Sequence, residues 1–237
     1  MKIIFNILKE KWPEYFLEIL VITLGILGAL VLNNWNDTRK ANNVQKKTME
    51  RMIDDMERDL ERYKFLTEAF DERIRLCDSV LFLIQNQQTI EDRKGIISVG
   101  LIDFYLVEAN TTTFEEMLNT SRIYSLKGNR LRSRIINYYK NINKWSKYVE
   151  KDNNQLRDRM IAQGLNDYWT LQQALWDDTS INLKKYAWLT NDYSKELNFI
   201  ESLVYQTRFT YKENKTAVGH LLAISETLVK DLKKTYE

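Results

Sequence analysis

The chain has very few of the residues that punctuate other fold classes. Of 237 residues, one is proline, one is cysteine, one is histidine and seven are glycine. A single cysteine, Cys77, excludes an intramolecular disulfide and says little about compartment. One histidine, His220, and one cysteine cannot assemble the usual zinc ligand sets. A Ser-His-Asp arrangement would have to recruit His220, and no nucleophile elbow accompanies it. The glycines are scattered, so there is no glycine-rich loop to cradle phosphate. No Asn-Gly or Asp-Gly pair marks a hairpin. With 35 basic against 33 acidic residues, the net charge of +2 leaves no nucleic-acid footprint. No cofactor and no catalysis are expected. A carboxylate-only site stays open, because acids are many and no spacing singles one out.

What is present is helical patterning. Charged residues make up 29% of the chain, and three segments hold an apolar repeat at alternating steps of three and four. The first is Ile53, Met56, Leu60, Tyr63, Thr67, Phe70, Ile74, Cys77, Leu81 and Ile84. The second is Leu131, Ile135, Tyr138, Ile142, Trp145, Val149, Asp152 and Leu156. The third is Leu197, Ile200, Val204, Thr207, Tyr211, Asn214, Val218, Leu221, Ser225, Leu228 and Leu232. A 3.5-residue repeat of this length makes a continuous seam on one helix face.

Three long helices are therefore predicted. The first runs from near Asp37 to about Gln88, and the second from an Asn129 N-cap to before Gly164. The third runs from around Asn191 to the C-terminus unless Gly219 bends it. The first and third reach roughly 65 to 75 Å, which implies a rod. Asn214 on the third seam sets register or marks a wet patch. Asp54 with Arg58 and Asp71 with Arg75 have helix-stabilising i,i+4 spacing, so the run from Asp54 to Arg62 reads as a solvated face. Between the long helices, Ile96 to Val107 reads as a short apolar helix. Thr112 with Glu115, or Thr113 with Glu116, makes a capping box. Tyr168, Trp169, Trp176, Tyr186 and Trp188 read as a lid closing one end, or as an interaction surface.

The longest apolar run is Tyr15 to Trp35, YFLEILVITLGILGALVLNNW. Its uncharged centre, Ile19 to Leu32, is short enough to suit a buried helix or a signal-peptide core as well as a membrane span. Trp12 and Tyr15 at one end and Trp35 at the other stand where interfacial anchors stand. A helix from Trp12 to Trp35 is roughly 34 Å long, against a hydrocarbon core of about 30 Å. Signal cleavage is poorly supported, since no small-x-small pair follows cleanly and no lipid-accepting cysteine is near. A retained anchor is the expectation.

Inside the span, Gly25 and Ala29 form a small-xxx-small pair that lets two helix backbones approach closely. Glu18, the one ionisable group there, lies about one turn inward from Tyr15, where it reaches water or headgroups. It is a boundary carboxylate, a carboxylate satisfied by a partner helix, or a proton- or ion-responsive group. Residues 1–14 interleave Ile3, Ile4, Ile7 and Leu8 with Lys2, Lys9 and Lys11, the pattern of an interfacial helix ended by Pro13. Lysines and arginines flank both ends of the span, so local charge does not decide orientation. The expected topology puts the N-terminus in the cytoplasm and the helical domain outside it.

Glu18-Ile19-Leu20-Val21, Gly25-Ile26-Leu27, Ala29-Leu30 and Asn33-Asn34-Trp35-Asn36 together resemble the N-terminal signature of a bacterial single-span membrane family, the domain of unknown function 6090. The downstream pattern is similar too, in Phe114, Leu118, Ser121, Leu131-Arg132, Ile135 and Tyr138-Tyr139. The family often has Ser-Gly where this chain has Ser121-Arg122. The resemblance implies an inner-membrane protein of a Gram-negative bacterium and supplies no activity or ligand.

The expected fold is all-α: an amphipathic interfacial segment over 1–14, a transmembrane helix over 15–36, and an elongated antiparallel bundle of three long helices with short connecting helices over 37–237. The expected role is a membrane-anchored scaffold, sensor or accessory subunit, acting as a homo-oligomer or with a partner membrane protein. Gly25, Ala29 and Glu18 make the helix contact, and Trp12, Tyr15 and Trp35 are the anchors. The alternative is an ion-coupled motor or transport subunit that uses Glu18 beside a multi-span partner.

Overall fold

The computed structural model describes residues 2–86, 89, 93, 95–98, 104–126, 128–162, 173 and 183–236, with 2–11, 97, 98, 160 and 183–185 described by backbone alone. Among these residues all regular structure is helical and no strand occurs. Helix α1 spans Lys2–Asn86, α2 Gly95–Ser98, α3 Thr112–Asn119, α4 Asn129–Ala162 and α5 Lys195–Tyr236. Two 3-10 segments, Arg122–Ser125 and Leu183–Thr190, lie between them. The chain divides into two compact units, Met1–Glu50 and Arg51–Glu237.

In the first unit the backbone stays helical through Pro13. Pro13 therefore does not end the N-terminal helix, contrary to the expectation from sequence. Proline removes one backbone donor, and the helix continues past it. From Trp12 to Lys47 every side chain is exposed except the half-buried Asn36 and Gln45.

In the second unit the third predicted seam is buried throughout, from Leu197 to Leu232. On α4, Ile135, Tyr138, Ile142, Val149 and Leu156 are buried, with Leu131, Trp145 and Asp152 half-buried. On α1 the predicted seam holds at most positions and shifts by one residue at two of them. Ile53, Met56, Tyr63, Phe70, Cys77, Leu81 and Ile84 are buried as expected. Asp59 and Leu66 are buried in place of Leu60 and Thr67, which are only half-buried, as are both Arg73 and Ile74. The apolar pattern steered around Asp59 and Arg73, yet Asp59 is 1% exposed. A polar side chain takes a core position when the fold supplies its hydrogen bonds.

Cross-helix pairs order the second unit. Glu57 pairs with Lys233 at 2.7 Å, Asp71 with Lys215 at 2.6 Å and Asp78 with Arg208 at 2.5 Å. Gln85 donates to the Tyr205 hydroxyl at 2.9 Å. Partner numbers fall along α5 as they rise along α1. The same order holds for α4 and α5, in Arg134 with Asp231, the Trp145 ring on His220 at 6.0 Å, and Arg159 with Gln206. Exposed pairs of this kind contribute about 0–1 kcal/mol each, so they set register more than stability.

The structure corrects several local expectations. Asp71 binds Lys215 on α5 and Arg58 binds Asp55, where i,i+4 partners were expected. The run from Asp54 to Arg62 is not wholly solvated, because Asp55 and Asp59 are buried. Of the expected helix from Ile96 to Val107, the first residues lie in Gly95–Ser98, residues 99–103 lie outside the described residues, and residues 104–111 form a non-helical strap. Side chains take the strap's carbonyls in place of a helical ladder: Asn153 donates to Tyr105 O at 3.1 Å and Arg62 to Leu106 O at 3.2 Å.

Helix α3 starts one residue early for the Thr112 capping box and two early for the Thr113 box. Its N-cap is Thr111, whose hydroxyl donates to the Glu115 carboxylate at 2.8 Å. Asn129 accepts from the Arg132 guanidinium at 2.6 Å. Helix α5 begins at Lys195, later than Asn191, because Ser194 Oγ accepts the Leu197 N–H at 3.1 Å. It runs through Gly219 to Tyr236. Where the related family often has Ser-Gly, the turn survives with Ser121 itself at φ 57°. Tyr168, Trp169 and Trp176 lie outside the described residues, while Tyr186 and Trp188 are half-buried.

Candidate functional site

The first candidate site is the apolar stretch of α1. It is the one helix, among the described residues, long and apolar enough to cross a membrane, with mean hydropathy 2.4 in its most apolar window and none of that window buried. The chain itself buries none of this window. Of the predicted anchors, Trp12 is 64%, Tyr15 45% and Trp35 61% exposed. Trp12 packs on Phe16 with ring centroids 5.7 Å apart, and the Arg39 guanidinium lies 5.4 Å from the Trp35 ring.

Helical spacing places Glu18, Gly25 and Ala29 within about 40° of one another on one face. The structure therefore groups the predicted contact residues. A methyl group added at Gly25 or Gly28 would meet nothing within 4 Å. Small side chains and a carboxylate thus share one uncovered stripe.

The second candidate site is one that sequence reasoning missed. Asp55 and Asp59, one turn apart on α1, are 6% and 1% exposed and sit in a polar cluster drawn from five elements. Asp59 accepts the Asn110 N–H and its side-chain N–H, both at 2.9 Å, and the Tyr138 hydroxyl at 3.1 Å. Thr113 donates to Asp55 at 2.5 Å, and Arg58 meets Asp55 at 2.5 Å. Ser225 on α5 donates to the Tyr138 hydroxyl at 3.3 Å, and Tyr139 donates to Asn110 O at 3.4 Å. The cluster thus joins α1, the strap, α3, α4 and α5.

Burial raises the Asp59 carboxyl above the usual carboxylate range. The hydrogen bonds from Asn110 and Tyr138 pull it back, and the Asp55 charge adds to the rise. Burial also raises the hydroxyls of Tyr138 and Tyr139, with nearby negative or phenolic groups adding to the effect. The Tyr63 hydroxyl is raised by the same burial. It lies near Tyr138 but outside hydrogen-bond geometry. In sequence the signal was a second three-four ladder through Met52, Met56, Asp59, Tyr63 and Leu66, hidden by its one acid.

Beside this cluster an open groove of about 820 Å³ runs between the strap, α3 and α4. Phe114 and Tyr139 stack across it with ring centroids 4.0 Å apart, and Val107, Leu118, Tyr124, Ile136 and Ile142 complete its apolar walls. Among the described residues no group of three or more His, Cys, Asp or Glu side chains is placed to hold a metal ion. His220 is exposed and stacked on Trp145. Burial pushes the Cys77 thiol up to about 12.

A family model matches residues 18–167, more than half of the chain, including the uncovered stripe and every member of the buried cluster except Ser225. The chain belongs to the Family of unknown function (DUF6090). No curated protein and no solved structure matches it. In this DUF6090 chain, Phe114, Leu118 and Tyr139, three of the residues that carried the resemblance, line the groove.

Proposed function

We propose that this DUF6090 protein is a single-pass, membrane-anchored helical subunit that acts by binding rather than catalysis, as a scaffold, sensor or accessory chain. The observation that carries the reading is the uncovered apolar window of α1. Roughly two dozen residues of apolar helix that the chain itself leaves bare need lipid or other helices around them. Trp12, Tyr15 and Trp35 at its ends suit membrane interfaces. Beyond it, the reading is three long helices in an antiparallel bundle with short connecting helices. The cellular setting is a bacterial inner membrane, with the N-terminus cytoplasmic and the bundle periplasmic. Gly25 and Ala29 mediate contact with a second copy or a partner helix.

The test is purification of the full-length chain in mild detergent after a carbonate wash of the membranes, with mass and partners identified by mass spectrometry. Retention through the wash as a homo-oligomer supports a scaffold or sensor. Release by the wash refutes the anchor. A second reading, an ion-coupled motor or transport subunit, is favoured by Glu18 sharing the Gly25 and Ala29 face. It requires a stoichiometric multi-span partner and loss of that partner's activity in Glu18→Gln. A scaffold tolerates the same substitution.

A further inference from the structure

Beyond the contact face, Trp35 is followed by a basic stretch. Residues 36–47 carry Arg39, Lys40, Lys46 and Lys47 against a single acid, Asp37, the rest being mostly asparagine and other uncharged polar residues. In an unbroken helix the four cations occupy about 120° of arc, and Trp35 borders the same arc. All four are exposed. Arg39, Lys40 and Lys47 have no ion pair among the described residues, and Lys46 has one loose pair, with Glu50 at 3.8 Å. Asp37 lies off this arc and accepts from Asn33 at 3.3 Å. The Arg39 guanidinium lies over the Trp35 ring at 5.4 Å, which ties the start of the stripe to the end of the apolar window.

We propose that this stripe binds the headgroups of anionic lipids in the leaflet at the Trp35 end of the span. The inference rests on the anchor reading above and names what the anchor meets at that surface. Arg39 and Lys40 lie about 6–8 Å beyond Trp35 along the helix. The polar headgroup layer is about 5–7 Å deep on each side of the hydrocarbon, so both reach lipid phosphates directly. Lys46 and Lys47 lie about 16–18 Å out. Their flexible stems reach back, and they act through the surface potential within roughly a Debye length. A cation near an anionic surface shifts partition by about fivefold, so the stripe recruits lipid without closing a pocket.

The experiment reconstitutes the full-length chain into vesicles of phosphatidylcholine with a minor share of phosphatidylglycerol. After a carbonate wash, the protein is extracted in mild detergent and its co-purifying lipids are measured by mass spectrometry. Phosphatidylglycerol should be enriched at least about twofold over the vesicle ratio. A variant with Arg39→Gln, Lys40→Gln, Lys46→Gln and Lys47→Gln should return to that ratio while staying in the vesicles. A control with Lys64→Gln, Lys147→Gln, Lys151→Gln and Lys212→Gln loses the same charge from exposed sites elsewhere and should keep the enrichment. No enrichment in the native chain, or equal loss in both variants, overturns the proposal while the anchor stands. So does a stripe variant that loses a bound protein but keeps its lipids. Release of the native chain by the wash refutes the anchor itself, a separate result.

Discussion

Asp59→Ala tests the buried cluster most directly. In the native chain this carboxylate accepts two bonds from Asn110 at 2.9 Å and one from Tyr138 at 3.1 Å, at 1% exposure. Truncation leaves the Asn110 N–H and the Tyr138 hydroxyl without that acceptor and opens space among Met56, Tyr63 and Tyr138. Each orphaned buried donor costs about 1–3 kcal/mol, while relief of the buried charge returns part of it. The net expected destabilisation is about 2–4 kcal/mol, read from urea unfolding of the full-length protein in mild detergent by circular dichroism.

The isosteric Asp59→Asn separates charge from shape. Because burial raises the Asp59 carboxyl in the folded chain, the ionised form is the costly one. Native stability contributed by this group is thus highest below the unfolded carboxylate value of about 3.9. It falls as pH rises through the higher folded value, then levels off. The asparagine variant lacks this pH step. An Asp59→Ala protein within about 0.5 kcal/mol of native, at every pH, would refute the claim that Asp59 ties the strap to three helices.

Three further outcomes follow from the geometry. Asn214 Oδ1 is buried in the α5 seam without a hydrogen-bond partner among the described residues, so Asn214→Leu should raise the urea midpoint by about 1 kcal/mol equivalent. A drop of that size would mean the amide is satisfied. Cys77, 2% exposed and with its thiol pushed up to about 12, should resist maleimide at neutral pH and react only on unfolding. Fast labelling in the native state would contradict its burial. At Gly25, where an added Cβ meets nothing within 4 Å in the single chain, Gly25→Ile is the third test. It should leave the helical signal unchanged while lowering oligomer mass in detergent, and an unchanged mass would move the contact off that face.

The three seams illustrate how much was legible in advance. The third is buried at every predicted position, because its few polar members, Thr207, Asn214 and Ser225, are small enough to be passed over as seam residues. The first was legible at Ile53, Met56, Tyr63, Phe70, Cys77, Leu81 and Ile84, but Asp59 and Leu66 are buried where Leu60 and Thr67 were expected. An acid or an arginine counts against burial in any apolar pattern, and only a partner elsewhere in the chain reverses that. Asp59 has such partners 51 and 79 residues away. Arg93 is a second case: it is 1% exposed, and it donates to Leu189 O at 2.6 Å, Ile84 O at 3.1 Å and Asp192 at 2.6 Å. Nothing local to Arg93 marks it for burial.

By itself, then, the sequence determined what depends on composition and short-range spacing: the helical class, the apolar window with its aromatic ends, the clustering of Glu18, Gly25 and Ala29, and the family. These follow from helix periodicity, which any stretch of chain carries within itself. The tertiary structure alone decided which acids are buried, where the α1 seam shifts to Asp59 and Leu66, and that residues 104–111 lie as a strap rather than a helix. Each of those depends on hydrogen-bond partners distant in sequence. Burying a polar group without them costs more than the burial of its neighbours returns.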